Sequence, residues 1–303
     1  MARAPERFTV SIEGRDLELS NLDKVMYPAV GFTKGEVIDY YTRMAPVLLP
    51  HLRGRALTRI RYPNGVDGAF FFEKNKPGGT PDWVRTERLP VPGSTKSRET
   101  IDFVVVDDLP TLVWVANIAS LELHTPQWRV GENPDLMVVD LDPGAPAGLV
   151  ECCGVAVLMR DRLAADGVDS YPKTSGKKGM QLCCPISGEQ DSDEVSRYAK
   201  QVAEELAAMV PASITAKMAK NLRPGKVFID WSQNAAAKTT VTPYSLRAQP
   251  SPTASTPLTW EEVEAFGTGE EPARQFTAEE VLERVDEHGD LLEDLLTPGP
   301  RVP

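Results

Sequence analysis

The stretch Met137-Val138-Val139-Asp140-Leu141-Asp142-Pro143-Gly144 decides the fold. Its apolar, partly β-branched run reads as a strand, and Pro143-Gly144 stops it at a turn. Side chains alternate along a strand, so Asp140 and Asp142 share one face. Two carboxylates at the end of a buried strand repel each other unless a cation neutralises them. Hard oxygen donors of this kind suit Mg²⁺ or Mn²⁺. The bland alternative is that the aspartates cap the turn. Lys226-Val227-Phe228-Ile229-Asp230-Trp231 is a second apolar strand with one Asp near its end. Set beside the first, it would complete a three-carboxylate site for two-metal phosphoryl transfer; alone, Asp230 reads equally as a surface residue.

Working outward, the intervening chain reads as a helix over 146–166, strands near Ser170–Thr174 and Gly179–Pro185, and a helix over Asp193–Met209. A polar loop and a strand Thr239–Tyr244 follow. Upstream, Thr33-x-x-Glu36 is a capping box opening a helix that runs towards Leu52. Strands Ala56–Arg61 and Ala69–Glu73 flank the turn Pro63-Asn64-Gly65, and Lys74–Ser97 reads as a long loop. A strand Ile101–Val106 then leads into a helix from Leu109 to His124. Elements alternate irregularly, without an internal repeat, which predicts an α+β fold: a mixed sheet with packed helices. Residues 1–248 form the main body. Gln249–Pro257 reads as a Pro/Ser/Thr linker, and residues 249–303 as that linker plus acidic helices, opened by Thr259-x-x-Glu262 and Thr277-x-x-Glu280, packing on the body.

The 303 residues are 41% apolar and 25% charged, which excludes a collagen-like or largely disordered chain. No run is apolar enough to span a membrane, and Met1–Val10 lacks the apolar core of a signal peptide, so a cytoplasmic protein is expected. Cys152-Cys153 and Cys183-Cys184 are adjacent pairs, neither zinc knuckles nor a disulfide framework, and read as reduced core thiols. The net charge of −11 speaks against a nucleic-acid partner only until it is mapped. Ala248–Pro303 holds 3 basic and 13 acidic residues, leaving the body near neutral, with 10 basic against 5 acidic over residues 51–100. Local fields steer phosphate better than net charge does.

Three further features carry possible chemistry. Thr174-Ser175-Gly176-Lys177-Lys178-Gly179 is a small-residue turn whose amides, hydroxyl and ammoniums could cradle a triphosphate, although its spacing is not that of a P-loop. Its plain reading is a solvated hairpin turn. His124, placed at a helix end, is by itself more simply a structural hydrogen-bonder. Phe70-Phe71-Phe72 beside Arg59, Arg61 and Lys74 mixes aromatics with cations as stacking platforms do, or is core.

Taken together, these residues resemble a known family. Asn21-Leu22-Asp23-Lys24-Val25-Met26-Tyr27-Pro28, Arg61-Tyr62-Pro63-Asn64-Gly65, Phe71-Phe72-Glu73-Lys74 and His124-Thr125-Pro126-Gln127-Trp128 occur in order. So do Asp140-Leu141-Asp142-Pro143-Gly144, Thr174-Ser175-Gly176-Lys177-Lys178-Gly179, Asp230-Trp231-Ser232-Gln233-Asn234 and Pro243-Tyr244-Ser245-Leu246-Arg247. The set is similar to the polymerase domain of bacterial DNA ligase D, of the archaeo-eukaryotic primase superfamily, over about Val10–Leu296. The resemblance implies a primase-polymerase palm with an RRM-like core and an N-terminal α/β subregion. It implies two Mn²⁺ or Mg²⁺ ions on Asp140, Asp142 and Asp230, and a nucleoside triphosphate held by His124, Ser175, Lys178, Lys238 and Arg247. Asn21, Lys24 and Lys34 would grip a 5′-phosphate at a gap or break, with Arg61 nearby and Phe71 or Phe72 stacking on template. The implied activity is ribonucleotide-preferring, template-directed extension at breaks and short gaps. The implied partners are DNA, nucleoside triphosphates, Ku and a DNA ligase, in the cytoplasm at the nucleoid. A non-catalytic DNA-end-bridging module is the competing function, and a two-metal nuclease a third. Ile60 stands where the family pattern has Lys, Gln181 where it has His, and Asn234–Lys238 lacks the usual small polar residues. The chain shows no nuclease or ligase segment, and its acidic tail favours a stand-alone homologue over an excised domain.

Overall fold

The computed structural model describes residues 7–91 and 99–303. The chain runs β1 (Arg7–Ile12), β2 (Arg15–Ser20), β3 (Val25–Tyr27), β4 (Phe32–Thr33), α1 (Lys34–Leu52), β5 (Ala56–Arg61), β6 (Phe71–Glu73) and β7 (Thr86–Pro90). It continues through β8 (Thr100–Val105), α2 (Leu109–Asn117), β9 (Ser120–Thr125), β10 (Leu136–Pro143), α3 (Leu149–Ala164), β11 (Tyr171–Thr174), β12 (Met180–Pro185) and α4 (Ser192–Met209). It ends with β13 (Ile214–Thr215), β14 (Val227–Asp230), β15 (Thr240–Val241), β16 (Leu246–Arg247), β17 (Thr253–Ala254), α5 (Trp260–Thr268), β18 (Phe276–Thr277) and α6 (Ala278–His288).

Strand β10 is central in a five-stranded sheet of order β11-β12-β10-β14-β13, antiparallel to both its neighbours. Helices α3 and α4 pack on one face of it. Val139, Leu141 and Ile229 are buried on that side, and burying each contributes about 1.5–3 kcal/mol. A slip of one residue would turn Asp140 and Asp142 into this core, so the apolar face holds the register. A second sheet, β15-β9-β5-β8-β7 with β6 beside β5, backs onto α1 and α2. The α+β architecture is therefore the expected one. Thr33 caps α1 with both halves of the predicted box: its Oγ1 accepts from Glu36 N, and Glu36 accepts from Thr33 N. All four cysteines are buried free thiols.

Four expectations are corrected. The helix expected from Leu109 to His124 stops at Asn117; Ala119 turns at φ 62°, and Ser120–Thr125 is strand β9. Leu121 and Leu123 fill the core behind Glu122 and His124, a period of two that overrides helix propensity. The long loop from Lys74 contains strand β7, and its part from 92 to 97 lies outside the described residues. The strand expected over Thr239–Tyr244 keeps only Thr240–Val241, because Tyr244 adopts φ 65°. The segment expected as a linker is a buried strap: Ser255 and Thr256 are at most 1% exposed, and β17 pairs with β16 and β18. Its polar groups are satisfied by the chain beneath, since Thr256 O accepts from Thr174 N and Ser255 Oγ donates to Thr174 O.

Candidate active site

The register places Asp140 directly opposite Asp230 across β10 and β14, with Asp142 two positions along β10. The three carboxylates thus share the sheet face opposite α3 and α4. Asp140 Oδ1 accepts from Gln181 Nε2 at 2.8 Å. Asp230 Oδ1 accepts from Ser232 N and Oγ, and its Oδ2 from Gln233 Nε2, so it also caps the short helical turn Trp231–Asn234. Burial and the charges of Asp142 and Asp230 push the Asp140 carboxyl up to about 7. Asp142 is raised by burial and by Asp230, with Arg223 and Lys178 opposing. Among the described residues, no group of three or more His, Cys, Asp or Glu side chains is placed to hold a metal ion. The donor chemistry nonetheless fits a divalent cation: three carboxylate groups repel one another on one face, and a hard cation relieves that repulsion.

A second cluster forms where β9 faces the Thr174–Gly179 turn. Glu122 is wholly buried yet surrounded by cations. His124 Nε2 lies 3.0 Å from its Oε2, Lys177 Nζ 3.0 Å from Oε1 and Arg247 Nε 3.2 Å from Oε2. Burial alone would raise the Glu122 carboxyl; the His124 hydrogen bond and the charges of Arg247 and Lys177 outweigh it and hold it well below the usual range. Burial lowers His124, against the pull of Glu122. Arg247 Nη1 donates to Ser175 O at 2.7 Å, and Ser175 Oγ accepts from Lys177 N and Gly179 N, which closes the turn. Gly179 is required because a Cβ there would stand 2.0 Å from Leu141 O. That close approach seats the turn against β10 and brings Lys178 within electrostatic reach of Asp142.

Helix α1 and strand β3 hold the Arg247 segment from behind. Tyr40 Oη donates to Tyr244 O, Tyr41 Oη to Leu121 O and Tyr27 Oη to Arg247 O. At its other end α1 carries Lys34, only 5% exposed, whose Nζ donates to Ser20 O. Burial, with Lys24 adding to it, lowers Lys34 to about 8. Lys24 Nζ donates to Asn64 Oδ1, and the exposed Asn21, at φ 54°, opens the loop that hydrogen-bonds to the helix start through Leu22 O and Lys24 O.

A family profile described as "LigD, primase-polymerase domain" matches residues 33–292. The chain belongs to the LigD primase-polymerase domain family. It is 41% identical over 288 residues to the multifunctional non-homologous end joining protein LigD of Mycolicibacterium smegmatis, covering 94% of this chain and 36% of that protein. The bifunctional non-homologous end joining protein LigD of Bacillus subtilis is 34% identical over 275 residues, 90% of this chain and 43% of that protein. The chain thus spans less than half the length of these relatives. Its structure matches the polymerase domain of Mycobacterium tuberculosis ligase D, solved in complex with DNA, with a TM-score of 0.87 and 40% identity over 94% of this chain and 99% of that one. As a LigD primase-polymerase domain it is a nucleotidyltransferase.

Within this LigD domain, His124, Ser175 and Arg247 come together around Glu122, and Lys178 lies towards Asp142. Lys238 does not join them; it is exposed, with its charge acting on Lys74 at the β6 edge. Asn21, Lys24 and Lys34 share one corner, whereas the Arg61 guanidinium is engaged by Ile118 O and Glu73. Phe71 and Phe72 are about half exposed and so are not core. Register separates them: Phe72 lies opposite Ile60, which lies opposite Glu122, while Phe71 lies opposite Arg61. Phe72 therefore shares the Glu122 face and Phe71 the Arg61 face. Sequence reading overlooked Glu122 and the buried Lys173. Had Leu121-Glu122-Leu123-His124 been read with period two, Glu122 would have appeared beside His124. A lone lysine within the strand Tyr171–Thr174 was the available signal for Lys173.

Proposed function

We propose that this domain extends a DNA primer by template-directed nucleotidyl transfer during end joining, at breaks or short gaps bearing a 5′-phosphate. The observation that carries this reading is the register pairing of Asp140 with Asp230, Asp142 alongside, facing a cationic cluster centred on Glu122. Bound Mn²⁺ or Mg²⁺, two per site, would supply activation of the primer 3′-hydroxyl and neutralisation of the triphosphate. Asp140, Asp142 and Asp230 would hold the ions. Arg247, Lys178, Ser175 and His124 would bind and orient the triphosphate. Asn21, Lys24 and Lys34 would receive the 5′-phosphate through the two ammoniums and the positive dipole end of α1, whose first amides are already bonded to Lys24 O, Leu22 O and Thr33 Oγ1. Phe72 would stack on the template strand, with Phe71 and Arg61 on the adjoining face.

Ribonucleotide preference belongs to the same reading: a pocket that pairs the 2′-hydroxyl penalises its absence because buried polar groups are left without partners. Ku and a DNA ligase are the partners expected of end joining in the cytoplasm at the nucleoid. The deciding experiment is extension of a gapped, 5′-phosphorylated duplex with ATP or dATP opposite a templating T, in Mn²⁺ or Mg²⁺. Extension that favours ATP and fails without divalent cation supports the reading. Cation-independent extension, or none with either nucleotide, overturns it.

A further inference from the structure

Lys173 is 1% exposed, on the inner side of β11, and nothing in the proposed reaction uses it. A buried ammonium needs partners for all three of its N–H groups. Lys173 has them: it donates to Gln181 Oε1 at 2.6 Å, to Ser255 Oγ at 2.7 Å and to Val241 O at 3.0 Å. The first partner matters most. The Gln181 amide that accepts from Lys173 donates at its other end to Asp140 Oδ1 at 2.8 Å.

An ammonium only donates and an ionised carboxylate only accepts. A side-chain amide between them satisfies both, but in one orientation only. With its oxygen held by Lys173, Gln181 must present its N–H to Asp140. Freed from the ammonium, the amide could turn and set an acceptor against the carboxylate, which would drive Asp140 out of place. The same ammonium ties the strap at Ser255 and the β15 edge at Val241, so three segments meet behind one carboxylate.

We propose that Lys173 is a positioning residue that, through Gln181, fixes the carboxylate of Asp140 for divalent-cation binding. The inference rests on the reading of Asp140 as a cation ligand. The Lys173 charge stands one side chain back from Asp140, so losing orientation outweighs any gain from removing a positive charge near the cation.

The test is Mn²⁺ binding, followed by the electron paramagnetic resonance signal of the free ion, alongside extension of a primer–template. Lys173→Met and Gln181→Leu should each weaken Mn²⁺ binding about tenfold, and the double variant should be no worse than Lys173→Met alone. Groups acting in series are not additive, whereas independent structural damage multiplies. Gln181→Met keeps the length but offers Asp140 no N–H and adds no charge, so it should lose about as much as Gln181→Leu. Should Lys173→Met fail to fold, the two Gln181 variants decide. Wild-type Mn²⁺ affinity in Gln181→Leu and Gln181→Met, or multiplied losses in the double variant, would overturn the proposal. Asp140→Ala is the control for the underlying reading. If Asp140→Ala binds Mn²⁺ normally, that reading fails; if it does not while the Gln181 variants do, only the positioning role fails.

Discussion

The cleft between the two sheets and the corner at the start of α1 both collect charge, but in opposite ways. In the cleft, Glu122 is wholly buried, Arg247 8% exposed and Lys173 1% exposed, each held by partners from distant strands. At the corner, Asn21 and Lys24 are exposed and only Lys34 is buried. Buried charges are weakly screened and costly to leave unpaired, so the cleft is preorganised, and losing one member is expensive. Exposed charges are screened and mobile, so the corner acts through summed attraction that salt weakens. The proposed chemistry belongs to the cleft, and the proposed choice of DNA end to the corner.

The largest effect that would break this division is in the carboxylates. Asp140→Ala, Asp142→Ala and Asp230→Ala should each lower the extension rate at least 100-fold, on the order of 2.7 kcal/mol, with DNA affinity within twofold of wild type. Primer-extension rates and a DNA titration on the same preparations check this; a variant keeping a tenth of the rate would remove that residue from the site.

Next comes the Thr174–Gly179 turn, proposed to bind the nucleotide. Gly179→Ala puts a Cβ against Leu141 O and must lift the turn away from β10. Arg247→Lys loses the fork that spans Ser175 O and Glu122. Both should reduce kcat/KM for the nucleotide about 10- to 100-fold, with 5′-phosphate recognition unchanged. Steady-state kinetics across nucleotide concentrations read this directly, and an unchanged kcat/KM in both would take the turn out of nucleotide binding.

The corner should show smaller effects that depend on conditions. A duplex with a 5′-phosphate should bind more tightly than one with a 5′-hydroxyl by about 1–3 kcal/mol, and Lys24→Ala with Lys34→Ala should erase that difference. The sign with pH follows from Lys34, lowered to about 8 in the free protein. Phosphate binding needs the ammonium, which is present below that value. The 5′-phosphate advantage should therefore be full near pH 7 and shrink as pH rises through 8 to 9.5. Titrations at fixed salt test it; an advantage that grows over that range would exclude Lys34 as the phosphate ligand.

The smallest effect separates the two aromatics. Phe72→Ala should weaken template binding by about 1 kcal/mol or more, and Phe71→Ala by less, because only Phe72 shares the Glu122 face. Equal losses, measured by single-strand titration, would mean that the template crosses both faces of β6.

Local patterns made much of this protein legible. The alternation in Met137–Asp142 predicted both the strand and the shared carboxylate face, because strand geometry needs only nearest neighbours along the chain. The capping boxes at Thr33 and Thr259 form for the same reason, each being a reciprocal bond over three residues, and at Thr277 the half in which its N–H donates to Glu280 forms. Tertiary structure alone decided the partners. Asp230 meets Asp140 through a pairing 90 positions apart, and Glu122 gathers Lys177 and Arg247 from two further segments. Pro, Ser and Thr in Gln249–Pro257 look like a solvated linker because composition records polarity and not its hydrogen-bond partners; β11 and the Thr174–Gly179 turn supply those partners and bury the segment. The Gln181 amide, likewise, has a defined orientation only because Lys173 is folded behind it. A polar side chain takes its role from whatever groups the fold places within hydrogen-bond reach, and that information lies in the packing of distant segments.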